Sequence, residues 1–477
     1  MSALPLVAGA VVEPVAANPS QEAAVVVFGS ASRPAILESV LQPSAYGRYS
    51  IFACDPADEF VFDAAAGGCP IRRLAERAAM YPAMAATSSC PFRGGWIGFL
   101  GYEAGLAGTR IAIRAPGNTG LPLSRFCLYD TACVFDHSLH LWQVVAVDWP
   151  AGSTIGRTRT PVGARLAAAR RRLERAEGLE SLPPPPSPTS SSPVSNLSPS
   201  EYARLVRKAK RYIDAGDIYQ VNLSLRFTVS GVGSPQELYR RLRRSNPSPH
   251  AAFLSWDDAA VLSSSPELFL QLRDGHVITR PIKGTRPRGT DRAGDAANRR
   301  ELIRSEKDAS ELTMIIDLLR NDLGRVCSPG TIRVTIPCDI EQHPTVFHRV
   351  ATIEGELAPA MTWADLLRAA FPSGSVTGAP KIRAMQIIDE LEPTPRGVYC
   401  GAIGMIGLDG FVCLNVAIRT MVQQRDVVHV YAGGAIVADS QPRMEYDEIM
   451  AKASGMFQAL DVATASRRPI SAEVTVA

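Results

Sequence analysis

Residues Gly401 to Ala438 read GAIGMIGLDGFVCLNVAIRTMVQQRDVVHVYAGGAIVA. Apolar runs of strand length are broken at two places, Asp409-Gly410 and Gln424 to Asp426. An Asp-Gly pair accepts the positive φ angles of a tight hairpin, so neighbouring strands should run antiparallel. The stretch predicts three strands in hairpin succession with no helix between them. A helix follows, starting after Asp439 or Ser440, with Pro442 near its first turn, where a missing N–H costs nothing. Upstream, AAVLSSSPELFLQL (259–272) and HVITRPIKGTRP (276–287) read as further strands. DIYQVNLSLRFTV (217–229) puts Val221, Leu223, Leu225 and Phe227 on one side of a half-buried strand. Before it, Ser198 and Glu201 form an S-x-x-E capping box with Pro199 between them, and the helix should stop near Gly216. Ser305 to Arg320 predicts another helix, with Leu312, Ile315, Ile316 and Leu319 on one face. Strand runs and a few long helices, without strict βαβ alternation, predict an α+β fold on antiparallel sheets.

The chain has 477 residues, 46% hydrophobic and 20% charged, enough for a large core. Its 50 basic and 47 acidic side chains leave a net charge of +3, which argues against bulk nucleic-acid or anionic-membrane binding. Nine cysteines, an odd number with no CxxC pair, argue against a zinc ribbon or disulfide framework. Met1 to Pro19 lacks the basic start of a signal peptide, and no uncharged stretch is long enough to span a membrane. A cytoplasmic protein is expected. The segment SLPPPPSPTSSSPVSNLSPS (181–200) cannot build a core and predicts an extended linker. It divides an N-terminal region (1–180) from a linker (181–197) and a catalytic domain (198–477). The arginines at 165, 170, 171, 172 and 175 read as a solvated helix face in preference to a phosphate-binding patch.

Candidate chemistry lies in the C-terminal part. Asp308 and Glu311 share a helix face, as do Glu445 and Glu448. Four hard oxygen donors from two helices suit Mg²⁺, and surface salt bridges would use the same spacing. Lys283, after an apolar strand and before Gly284, is a candidate nucleophile if desolvated, or a plain surface lysine. Glu267, after Ser265-Pro266, is a candidate buried acid. Gly374 to Lys381 reads as an anion-binding helix start, opening an amphipathic helix with Ile382, Met385 and Ile388. Ala432-Gly433-Gly434-Ala435 would let backbone amides approach a carboxylate, or permit a tight strand crossing.

In order along the chain, DIYQVN, SPELF, PIKGTRPRG, KDASELTMIIDLLRNDLGR, VFHRVATIEGEL, FPSGSVTGAPKIRAMQIIDELEP, RGVYCGAIG, AIRT, AGGAIVADS and EYDEIMAKA resemble the chorismate-utilising enzymes of the anthranilate synthase component I family. AILES (35–39), GRYSIFACDP (47–56) and GGWIGFLGYEAG (94–105) extend the likeness more loosely. The resemblance implies antiparallel sheets in a layered sandwich flanked by helices. Isochorismate and salicylate formers carry a lysine base where this chain has Gln220, which disfavours them. PIKGT, in place of the PIAGT usual in anthranilate synthases, is similar to the aminodeoxychorismate synthase branch. That branch makes 4-amino-4-deoxychorismate for para-aminobenzoate and folate, in a transaminase-class reaction. Carried over by resemblance, Lys283 would be the nucleophile, Glu267 the acid and His348 an active-site histidine. Gln220, Thr285, Thr377, Gly378, Tyr399, Arg419, Gly433 and Lys452 would line the chorismate site. Glu311, Glu445 and Glu448 would hold Mg²⁺, with Asp308 nearby. Ammonia would come from a glutamine amidotransferase partner. AILES resembles the place where anthranilate synthases bind tryptophan, making tryptophan a candidate ligand of the N-terminal region. The rival readings are an anthranilate synthase large subunit and a non-catalytic chorismate-binding or amidotransferase-docking protein.

Overall fold

A computed structural model describes residues 7–40, 47–84, 90–107, 109, 111, 121–150, 160–179, 182–188, 190–343 and 346–462. Alternating apolar positions make the strands two-faced, and two large sheets bury those faces against each other. In spatial order the first sheet runs Val194–Ser195, Gln220–Ser230, Val427–Ile436, Thr420–Gln424, Ala259–Ser265, His250–Ser255, Ala35–Glu38, Tyr49–Ala53, Thr131–Asp136, Leu141–Asp148, Val7–Pro14 and Ala83–Met84. The second runs Ile282–Pro287, Val346–Glu356, His276–Arg280, Leu268–Arg273, Val412–Val416, Ala402–Gly407, Gly95–Leu100, Ser124–Tyr129 and Asp58–Phe62. Strands from before and after the Pro-Ser segment therefore share both sheets. Two seams join them: Leu254 pairs with Ala35, and Ala402 with Leu100.

The inner faces meet through Ile97, Phe99, Val134, Val261, Ile403 and Val422, all almost fully buried. Each such side chain contributes about 1.5–3 kcal/mol relative to exposure. The outer face of the first sheet carries Val221, Leu223, Leu225 and Phe227, buried as their alternation predicts. The helices Pro199–Asp214, Pro235–Ser245 and Pro442–Ala459 cover that face. The capping box forms as read, Ser198 and Glu201 each accepting from the other's backbone N–H. Against the second sheet lies the helix Glu306–Gly324, capped by Ser305 and burying Leu312, Ile315 and Leu319, while Ile316 is only half-buried.

Two expectations change. The Gly401–Ala438 stretch makes four strands, because Val412–Val416 and Thr420–Gln424 belong to different sheets. The break is Arg419, whose φ of 49° lies in the left-handed region. Apolar periodicity runs unbroken across such a switch, so the sequence reads as one strand. The Pro-Ser segment is also tied down. Arg240 donates to the Pro183 carbonyl, Ser190 to the Leu460 carbonyl, and Val194–Ser195 pairs with the strand end at Phe227 and Thr228. The basic helix Val162–Glu177 uses Arg165, Arg170 and Arg172 to pair with Asp130, Glu13 and Asp55. None of the nine cysteines forms a disulfide among the described residues. Among the described residues no helix is long and apolar enough to cross a membrane.

Candidate active site

The site is built where the second sheet's edge meets the helix Glu306–Gly324. Pairing of Ile282–Pro287 with Val346–Glu356 slips between Ile282 and Thr285, leaving Lys283 and Gly284 in a bulge. Gly284 has φ 89°, and a Cβ there would sit 2.9 Å from Asp308 Cγ and from Leu302 Cδ1. Only glycine lets the strand pass that close to the helix. Lys283 is buried at 9% exposure. Its Nζ lies 3.4 Å from the Ser375 carbonyl and 3.9 Å from Glu311 Oε2. Burial lowers its pKa from the usual 10.5, and Glu311 opposes that shift.

Glu267 closes the other side. Its amide donates to Ser265 Oγ at 3.3 Å and its carbonyl accepts from Val416. Burial pushes its carboxyl up to about 7, against hydrogen bonds from the Ser375 side chain and the Ile282 amide. Ser375 thus touches both Lys283 and Glu267. The segment Gly374 to Lys381 leads into the helix as read, but its glycine turn is not the helix's first turn. Gly374–Val376 is a tight turn, Gly378–Ala379 pairs with Gln220 and Val221, and the helix Lys381–Leu391 begins afterwards. The turn spends its amides internally, Ser375 N on Ser373 Oγ and Thr377 N on the Gly374 carbonyl. In the helix Met385 and Ile388 are buried, whereas Ile382 is 50% exposed.

Glu311 and Glu445 approach each other from two helices, joined by a lysine. Lys307 Nζ lies 4.0 Å from Glu311 Oε1 and 3.7 Å from Glu445 Oε1. Glu445 is 2% exposed; Ser440 Oγ donates to its Oε1 at 2.7 Å, while its Oε2 is buried with no hydrogen-bond partner. Glu448 is half-exposed and pairs with Lys452 at 2.7 Å, which holds it below the ordinary carboxylate range. Asp308 turns away to Arg286 at 3.0 Å. Among the described residues no three acidic, histidine or cysteine side chains stand ready-made as a metal cage. A buried oxygen without a partner next to further hard oxygen donors nevertheless fits a small divalent cation.

The remaining predicted residues fall into smaller local groups. His348 is buried and bonds Thr285 Oγ1 through Nδ1 at 2.9 Å; burial first, then Arg419, drives its pKa well below 6.5, so it is neutral. Arg419 has no carboxylate partner among the described residues, and desolvation alone lowers its pKa to about 10. An unpaired, desolvated guanidinium is a receptor for an anion. Tyr399 stacks on Tyr431 at 5.3 Å, and a Cβ on Gly433 would lie 2.8 Å from the Tyr399 hydroxyl. Lys452 also donates to the Gly433 carbonyl at 3.1 Å. A Cβ on Gly434 would meet only Glu445 Oε2, at 3.5 Å. Gln220 is fully buried with both side-chain polar atoms unpartnered. Thr377 is buried and donates to the Ser373 carbonyl, and Gly378 packs on the Gln220 carbonyl.

One buried pair is not advertised by the sequence. Arg396 bonds both oxygens of Glu392 and the carbonyls of Val376 and Asn222, and its amide donates to Glu103. An i, i+4 acid–base pair looks like any surface salt bridge until its long-range partners are known. A separate cavity of about 260 Å³ lies between the sheets, lined in part by Leu37, Glu38, Tyr49, His250, Arg273 and Phe411.

Comparison with known proteins gives a consistent picture. A family model described as chorismate binding enzyme matches residues 37–458. Aminodeoxychorismate synthase component 1 of Klebsiella aerogenes is 40% identical over 374 residues, 78% of each chain. Anthranilate synthase component 1 of Thermus thermophilus is 40% identical over 396 residues, 83% of each. The crystal structure of anthranilate synthase component I from Streptococcus pneumoniae superposes with a TM-score of 0.73 at 32% identity, covering 87% of this chain and 93% of that one. The chain belongs to the chorismate-binding enzyme family.

Proposed function

We propose that the chain converts chorismate and ammonia to 4-amino-4-deoxychorismate, a precursor of para-aminobenzoate and folate. The observation that carries this reading is that Ser375 touches both a buried lysine and a buried carboxyl: Lys283, whose ammonium is disfavoured by burial, and Glu267, whose carboxyl is pushed up to about 7. A direct amination at C2 needs no such lysine. Two displacements that return nitrogen to C4 with retained stereochemistry do. The neutral Lys283 amine bonds to C2, the ring double bonds shift, and the C4–oxygen bond breaks as Glu267 protonates the hydroxyl, which leaves as water. Ammonia then bonds to C4, the double bonds shift back, and the C2–nitrogen bond breaks to free the lysine amine. Arg419 and Tyr399 receive substrate carboxylates, and Lys452 stands beside them. His348 presents a neutral imidazole fixed by Thr285. The buried unpartnered Gln220 faces the substrate as a neutral group, unlike a lysine base. Mg²⁺ held by Glu311, Glu445 and Glu448 would supply positive charge to the ring carboxylate, with Asp308 outside the ligand set. Relatives named aminodeoxychorismate synthase component 1 support the reading, and those named anthranilate synthase component 1 define the alternative.

Ammonia would be delivered by a separate glutamine amidotransferase subunit. The cavity beside AILES would take tryptophan; calorimetry that gives no heat on adding tryptophan ends that part of the reading. Nine cysteines without a disulfide suit a cytoplasmic setting. Product identification from chorismate, Mg²⁺ and ammonium tests the reaction. We expect 4-amino-4-deoxychorismate; fluorescent anthranilate would show the alternative to be right, and binding without turnover would leave a non-catalytic chorismate binder. Lys283→Ala should lose about 3–5 kcal/mol of transition-state stabilisation in kcat/KM, and wild-type turnover would remove the covalent route.

A further inference from the structure

Three lysines surround the carboxylates, and they are held differently. Lys283 is buried and bonded to the Ser375 carbonyl. Lys452 is bonded to the Gly433 carbonyl and to Glu448 at 2.7 Å. Lys307 makes no hydrogen bond of ordinary length to Glu311 or Glu445. It stands 4.0 and 3.7 Å from them, with its side chain 51% exposed. It is the loosely held one of the three, on the first turn of the helix Glu306–Gly324. Glu445, by contrast, cannot move away. Ser440 fixes its Oε1, and that serine is itself fixed by the Val437 amide, which donates to Ser440 Oγ, and by Lys210, which donates to its carbonyl.

We propose that Lys307 is a displaceable counter-ion: its ammonium bridges Glu311 and Glu445 and competes with a divalent cation for the same pair of carboxylates. This rests on the Mg²⁺ reading above and adds a control to it. Two carboxylates from two helices repel unless a cation lies between them. A tethered ammonium neutralises them without the directional bonds that would lock it in place, and a lysine stem has the rotamer freedom to swing into solvent. Divalent-ion binding is then an exchange of cations, and Lys307 weakens it by the energy of its own ion pairs.

The test is calorimetric titration of the full chain, stripped with a chelator, with Mg²⁺ alone and again with chorismate present. Lys307→Met should bind Mg²⁺ about fivefold more tightly, the upper end expected for a half-exposed ion pair. Lys307→Arg, which keeps the charge, should bind no more tightly than the wild type. Circular dichroism melts confirm that each variant is folded. If Lys307→Met binds equally or less tightly while the wild type binds Mg²⁺, the counter-ion proposal is wrong and the metal reading stands. If neither protein binds Mg²⁺ under either condition, both are wrong.

Discussion

At the scale of single residues, Lys283 and Glu267 make opposite demands on pH. Lys283 must be neutral to attack, so the rate rises as pH climbs through its lowered pKa. Glu267 must be protonated to release the hydroxyl, so the rate falls as pH passes about 7. The product of the two is a bell, and Glu267→Gln should abolish its alkaline limb together with most of kcat. An unchanged alkaline limb in that variant, read from kcat against pH, would assign the limb to another group. Both residues stand out in the sequence because each follows an apolar strand. What does not stand out is the environment that shifts them. The bulge at Lys283-Gly284 needs knowledge of the facing strand, and Ser375 reaches them from a segment that reads locally as a helix start.

At the scale of elements, helices with local caps were the legible part: Pro199–Asp214 depends on contacts within four residues. Strand boundaries set by tertiary pairing were not, as the Arg419 switch between sheets illustrates. Gly378 belongs to the same class. A Cβ there would stand 2.2 Å from the Gln220 carbonyl and 2.8 Å from Ala384 Cβ. Gly378→Ala must push the turn Gly374–Val376 away from the strand that carries Gln220. It should cost about 1–3 kcal/mol in stability and raise the KM for chorismate, because Ser375 and Thr377 move with the turn. Urea unfolding and steady-state kinetics measure the two effects, and a variant unchanged in both would contradict the contact.

At the scale of the molecule, Arg396 binds the parts together. It links Glu103 from the N-terminal region, Glu392 at the C-terminal cap of the helix Lys381–Leu391, and the backbone at Asn222 and Val376. Arg396→Met would leave Glu392 charged and buried, and should lose about 3–5 kcal/mol. Adding Glu392→Gln should restore part of this, and denaturant midpoints of the single and double variants read it directly. None of this reach is visible in local sequence, since residues 103 and 396 are brought together only by the completed sheets. The strand order has a further consequence for synthesis. Gly95–Leu100 leaves the ribosome long before Ala402–Gly407, the strand it pairs with, and Ala35–Glu38 long before His250–Ser255. Nascent chains therefore carry open, apolar strand edges until translation is nearly finished. Closure across such sequence distances is slow, so a chain cut short before Ala402 should expose those edges and aggregate in place of yielding a working half.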